Sequence, residues 1–224
     1  MKVLFVVPPL TGHINPTVGL ATELRARGHQ VAWAGHASIV GPRLPEWAEL
    51  IGIPEPPGPD TLAETLARAS AMTGLDYLKQ RWEGGFDVLA RAMVPGVETA
   101  ITAFGPDVVV VDQQAYAGMI AARRMGIVWA TLATTSVPLL DPFSQFPKVK
   151  AWYDGILDGL QVEYGLEPVK DPDRSPHLVL VTSTRALTGP AAHLAPEVRF
   201  VGPILGPRPA SPVSLADVGL DPTR

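Results

Sequence analysis

Two short stretches carry the residue types on which proton chemistry can be built. The first is Gly12-His13-Ile14-Asn15-Pro16, set between an apolar run and a segment with helical spacing. Asn15 and Pro16 read as an N-cap and a first helical residue. His13 then falls just ahead of a helix N-terminus, where the positive end of the dipole opposes an imidazolium and favours a neutral ring. A neutral imidazole beside a cleft can accept a proton. The same residues also suit an ordinary helix start, with His13 capping or facing solvent and Gly12 serving a turn. The second stretch is Asp112, which closes the run Asp107 to Val111. A carboxylate there either holds one ring nitrogen of His13, fixing the tautomer and stabilising the cation formed when the other nitrogen takes a proton, or caps the next helix. Such a dyad needs no metal.

The surrounding elements decide whether the two can meet. Lys2 to Val7 is a continuous apolar run of strand length, as expected for a strand buried on both faces of a parallel sheet. Pro8 to Ile14 reads as a loop, and a helix follows in which Thr17, Leu20, Ala21 and Leu24 recur at helical spacing until Gly28. With a strand at Gln30 to Ala34 this makes a βαβ unit, and the expected fold is α/β, a Rossmann-like doubly wound parallel sheet. Ligands of such sheets bind in the crevice at the carboxyl edge. If the strand Asp107 to Val111 lies beside the first, Asp112 faces the same crevice as His13.

Residues 36–60 hold many Pro and Gly with no sustained period and read as loops. Helices are expected over 61–72 and 75–104, the second interrupted at Gly84, Gly85 and Pro95, with Phe86, Leu89, Met93, Val97, Ala100, Ile101 and Phe104 as its buried stripe. A helix over 116–125, a strand over 127–131, a loop over 131–147, a helix over 149–160 and strands at 177–182 and 198–201 complete the pattern. From Gly202 to Pro212 the chain is rich in Pro and Gly and poor in apolar residues, which is linker composition.

The chain has 224 residues, 46% hydrophobic and 18% charged, with a mean hydropathy of +0.17. That is enough for one large α/β domain whose core needs no staples. It has no cysteine, which excludes disulfides and thiolate metal sites and agrees with a reducing, cytoplasmic setting. Met1 leads straight into strand pattern without a signal segment, and no apolar run approaches the ~20 residues of a membrane span. With a net charge of -4 and no clustered Lys and Arg, nothing directs the chain to nucleic acid or an anionic membrane, so the expected partner is a small molecule. Arg in preference to Lys, with abundant Ala, Gly and Pro, suits a GC-rich bacterial genome.

The stretch VLFVVPPLTGHINPTVGLATELRARGHQVAWAG resembles the opening of GT-B glycosyltransferases of the UDP-glucuronosyl and macrolide glycosyltransferase group, and so does PDVVVVDQQAYAGMIAARRMGIVWAT. HLVLVTSTRAL and VRFVGPILGPRP look like that group's last N-domain strands and the run into its interdomain linker. The resemblance covers nearly the whole chain in order. It implies an N-terminal, acceptor-binding domain over residues 1–203 and a linker remnant over 204–224. The implied enzyme is an inverting transferase of antibiotic or secondary-metabolite biosynthesis, in which His13 deprotonates a hydroxyl of a small hydrophobic acceptor and Asp112 orients it. The co-substrate would be a nucleotide-diphosphate sugar, with no metal and no resident cofactor.

By the same resemblance the acceptor is lined by the carboxyl-edge loops and the irregular helical region. The candidates are Gly12, Trp82, Phe86, Thr134, Phe143, Phe146, Trp152 and Tyr153. Aromatics at helical spacing also read as ordinary core. The HxGxGxxxE-type donor motif of the family's second domain is absent, so the chain by itself is expected to be inactive, with the donor gripped by a domain beyond it. His29, His36, His177 and His193 lie in loops or at element ends with no partner at metal-ligand spacing. A stand-alone ligand-binding module, or a subunit pairing with a separate donor-binding chain, is the alternative reading. A dinucleotide-dependent oxidoreductase is disfavoured because Pro8-Pro9-Leu10-Thr11-Gly12-His13 lacks the GxGxxG glycines.

Overall fold

The computed structural model describes residues 1–55, 72–135, 137–140, 143–189 and 194–206. The helix expected over 61–72, His193 and most of the expected linker therefore lie outside the described residues.

Alternation along the first strand sets the whole architecture. In β1 (Lys2–Val6) Leu4 and Val6 enter one apolar cluster, while Val3, Phe5 and the following Val7 enter another on the opposite face. Successive strand side chains point to opposite faces, so a strand apolar at every position must be covered on both. The helix α1 (Thr11–Ala26) covers the second face with Ile14 and Ala21. Next come β2 (Gln30–His36), the short α2 (Ala37–Val40) and β3 (Glu49–Ile53). After them come α3 (Gly74–Arg81), α4 (Asp87–Phe104), β4 (Val108–Asp112), α5 (Tyr116–Arg124), β5 (Trp129–Ala133), α6 (Pro147–Glu163), β6 (Val179–Val181), α7 (Arg185–Thr188) and β7 (Val198–Phe200).

The seven strands pair in the order β3-β2-β1-β4-β5-β6-β7, every pairing parallel. The first six follow the doubly wound order, whose direction reverses between β1 and β4. There Val3 to Val6 register against Val108 to Val111, so the ends of both strands open at one place. The doubly wound α/β fold expected from the sequence is the fold observed.

Three local expectations are corrected. The segment 36–60 is not all loop: β2 runs on through Gly35 and His36, and Glu49–Ile53 forms the edge strand β3. Gly52 within the strand and Pro45 and Pro54 on either side of it hid it, and an edge strand needs pairing on one side only. The helix α1 begins at Thr11 behind an extended Leu10, five residues earlier than Asn15-Pro16 implied. Pro16 then sits inside it, where the i→i−4 bond it cannot make would have gone to Gly12, an exposed first-turn residue whose carbonyl water can serve. The interruption at Gly84-Gly85 is a π-helical turn, Trp82–Phe86, which joins α3 to α4 without ending the helix.

The stripe expected on the long helix is buried throughout, from Phe86 and Leu89 to Ile101 and Phe104. Gly105, left-handed at φ 63°, ends α4 with its N–H on the Ile101 carbonyl. The opposite face of α5 approaches so closely at Gly118 that a β-carbon there would lie 2.8 Å from Val111 Cγ1 and 3.0 Å from Val6 Cβ.

Candidate active site

Strand parity brings the two chemical stretches together. Val110 faces the α1 side of the sheet, so Asp112, two residues on, faces the same side. Leu132 also faces that side and pairs with Asp112, which puts Thr134 on it as well. His13 lies in the first turn of α1 rather than in a loop before it.

His13 Nδ1 lies 2.9 Å from Asp112 Oδ1 and 3.0 Å from Oδ2. Thr134 Oγ1 lies 2.7 Å from the same nitrogen and 3.0 Å from Asp112 Oδ2. Asp112 Oδ1 also accepts the backbone N–H of Gln114 at 2.9 Å. A carboxylate accepts only, so the bonding is satisfied when Nδ1 carries the ring proton and Thr134 accepts part of it while donating its own to Oδ2. That tautomer leaves the Nε2 lone pair available. Nε2 makes no hydrogen bond within the described residues, and the His13 side chain keeps 10% of its surface exposed while that of Asp112 keeps none. A buried carboxylate, a hydroxyl and a dipole-bearing helix start thus hold an imidazole with its acceptor nitrogen unoccupied. Among the described residues no group of three or more His, Asp or Glu side chains is placed to hold a metal.

A cavity of about 600 Å³ opens on the other side of the sheet rim, where Trp82 and Leu157 pack. His13 and Asp112 do not line it. Its nearest approach in sequence to the pair is through Gln114 and Thr135, each beside a member of the triad or bonded to one. We take the hydrogen-bonded triad, not the cavity, as the chemical centre, because only the triad has proton-transfer geometry.

The aromatic candidates divide. Trp82, Phe143 and Tyr153 line the cavity and touch one another, Trp82 and Tyr153 edge to face at 4.8 Å between centroids and Phe143 and Tyr153 at 5.5 Å. Phe86 does not reach the cavity; it packs in the core against Trp82 and Tyr116, with the Arg81 guanidinium 4.9 Å from its ring centre. Trp152 donates its Nε1 to Glu83, Phe146 is 61% exposed, and Gly12 has open space around it; none of these three lines the cavity. The aromatic candidates come from two separate stretches, 82–86 and 143–153, and only their packing decides which rings are left uncovered.

Sequence reasoning missed the charged part of the cavity wall. Arg81, Lys150, Lys170 and Arg174 line it together with Asp154, Asp158, Asp171 and Asp173. The segment Lys170 to Arg174 has no periodicity to announce it. Burial lifts the Asp173 carboxyl above its ordinary range, although a hydrogen bond from Gln113 and the nearby Arg174 draw it back. Burial likewise raises the phenols of Tyr116 and Tyr153, whose oxygens lie 3.4 Å apart.

A seven-stranded parallel sheet of this order, bearing helices on both faces, is the Rossmann-like fold of GT-B glycosyltransferases. Its particular neighbours are glycosyltransferases of antibiotic biosynthesis. The chain is 25% identical over 245 residues to the 4'-demethylrebeccamycin synthase of Lentzea aerocolonigenes, a match that covers 93% of the chain and 57% of that relative. A stretch of 32 residues is 53% identical to the demethyllactenocin mycarosyltransferase of Streptomyces fradiae, over 14% of the chain and 7% of that protein. Among solved structures, the calicheamicin glycosyltransferase superposes with a TM-score of 0.65 at 22% identity, covering 90% of the chain and 52% of its own. The spinosyn rhamnosyltransferase in complex with spinosyn aglycone does so with a TM-score of 0.58 at 21% identity, covering 81% and 45%. No protein-family model matches the chain. The chain thus spans about half the length of the relatives it matches.

Proposed function

We propose that this chain is the acceptor-binding domain of an inverting glycosyltransferase that moves a sugar from a nucleotide diphosphate to a hydroxyl of a small hydrophobic natural product. The single observation that carries the reading is the His13 ring, with Nδ1 tied to Asp112 and Thr134 and Nε2 unbonded at the point where the sheet order reverses. In this reading an acceptor hydroxyl donates to Nε2, which takes its proton as the oxygen attacks the anomeric carbon and the diphosphate leaves. Asp112 stabilises the imidazolium that forms, as an orienting carboxylate does. The acceptor body lies in the cavity beside Gln114 and Thr135 and extends its hydroxyl over the rim.

The half-length match to the relatives supports a donor site supplied by residues outside this chain, with 1–203 as the acceptor domain and 204–224 as linker. The spinosyn rhamnosyltransferase, crystallised with its aglycone, supports an aglycone-sized ligand here. The test is sugar transfer by the chain joined to its donor-binding half. His13→Ala should lower turnover by about 10²- to 10⁴-fold, the usual worth of a general base, with an unchanged circular dichroism spectrum. Asp112→Asn should cost less. Turnover by the His13 variant at the unsubstituted rate overturns the assignment.

A further inference from the structure

The proton-transfer scheme uses none of the polar groups in the cavity floor, and one of them is a buried carboxyl. Asp173 keeps only 7% of its surface exposed, yet it lines the cavity. Its Oδ2 accepts the Gln113 side-chain N–H at 2.8 Å, and beyond its own backbone N–H no other hydrogen bond to the carboxylate is made within the described residues. The backbone around it is fully tied: Thr131 Oγ1 donates to the Asp173 carbonyl, Ser175 N donates back to Thr131 Oγ1, and Ser175 Oγ donates to the Trp129 carbonyl. The Asp173 side chain is thus presented from a rigid loop, and Gln113, which holds it, follows Asp112 directly in the chain.

A carboxylate can accept about four hydrogen bonds, and around Asp173 the Gln113 side chain, Arg174 and the residue's own backbone N–H offset only part of the desolvation that burial costs. A donor on a ligand offsets more of it. The charges around the cavity divide four and four between Arg81, Lys150, Lys170 and Arg174 and Asp154, Asp158, Asp171 and Asp173, so no net field selects a cation. The donor that fits is therefore a neutral hydroxyl. The adjoining wall is the aromatic group of Trp82, Phe143 and Tyr153, which suits a flat ring system.

We propose that Asp173 is a specificity-determining residue that accepts a hydrogen bond from a hydroxyl of a flat, ring-bearing acceptor, a hydroxyl other than the one His13 deprotonates. The proposal rests on reading the cavity as the acceptor's, and it adds a second fixed point that sets which hydroxyl reaches His13.

The probes are hydroxymethylanthraquinone and its methyl ether, alike in ring system but with and without the donor, titrated against the full chain by quenching of tryptophan fluorescence. The alcohol should bind about 10- to 100-fold more tightly than the ether, the range for a hydrogen bond to a charged group. In Asp173→Asn the amide oxygen takes the Gln113 donor and turns an N–H toward the cavity, so the preference should fall to about onefold with the ether bound as before. Asp173→Ala should do the same. In the crystal structure of the unsubstituted protein with the alcohol, its oxygen should lie within hydrogen-bond distance of Asp173, a result that does not depend on how the variants fold. A preference that survives both substitutions, a protein that does not distinguish the probes or binds neither, or a crystal structure with the alcohol elsewhere overturns the proposal. Because the readout is binding, it fails separately from the catalytic reading: an unsubstituted protein that shows no preference while sugar transfer is intact condemns Asp173 alone, and an active His13→Ala with the preference intact condemns the general base alone.

Discussion

At the scale of single residues, Thr134 is the group whose role the geometry defines most narrowly. Its hydroxyl is within bonding distance of both His13 Nδ1 and Asp112 Oδ2, so it closes a three-membered ring of contacts that pins the imidazole plane. Thr134→Val keeps the shape and removes the hydroxyl. One net hydrogen bond is worth about 0.5–1.5 kcal/mol, and if that difference falls on the transition state the turnover drops by about 2- to 13-fold. Thr134→Ser should restore most of it. Steady-state kinetics on the joined enzyme check this, with kcat falling and KM little changed for a residue that positions the base without touching the acceptor. A fall in KM-limited rate alone would place Thr134 in acceptor binding instead.

Among the elements, α5 is the one whose fit to the sheet supports the site from below. It follows Asp112 by four residues, and its Gly118 lies against Val111 and Val6, the strand ends on either side of the switch point. The contacts at 2.8 and 3.0 Å are to branched side chains anchored on the sheet, so a methyl group at this position must push the helix outward. Overpacking of this kind costs about 1–3 kcal/mol. Gly118→Ala should therefore lower stability by about that amount in urea or thermal unfolding, and Gly118→Val by more. If Gly118→Ala unfolds like the unsubstituted protein, the helix has room that these distances deny.

For the whole molecule the informative variable is pH. His36, at the end of β2, is fully buried with Nδ1 3.3 Å from the Ile53 carbonyl and Nε2 without a hydrogen bond among the described residues. Burial lowers its pKa from 6.5, against the smaller raising effects of the Ile53 carbonyl and Glu55. Below pH 6.5 the unfolded chain takes up a proton at this residue that the folded chain resists, so stability falls as the pH drops from 6.5 toward the lowered folded value. Above 6.5 neither state binds it and the effect vanishes. His36→Phe should flatten the acid side of a Tm-against-pH profile, and a slope that stays the same assigns the acid sensitivity elsewhere. Asp173 acts in the opposite sense, since its raised folded pKa means that its burial costs stability above the unfolded value of 3.8 and ceases to do so as the pH falls. Asp173→Asn is accordingly expected to fold at neutral pH.

The sequence by itself pointed to the doubly wound sheet, because strands such as Val108–Asp112 are apolar at every position before the closing Asp112 and are best buried on both faces. It pointed His13 and Asp112 to one rim only on the condition that the strand ending at Asp112 lies beside the first, a pairing that the tertiary structure supplies. It did not reveal β3, whose five residues pair on one side only, or the start of α1, where Pro16 imitates a helix beginning that lies five residues earlier. Only the tertiary structure decided that Phe86 is core while Tyr153 is wall, and that Asp173, far from either motif in sequence, stands buried in the cavity wall. Exposure and vacancy depend on what other elements cover, and no property of a residue's own neighbours in the chain records that.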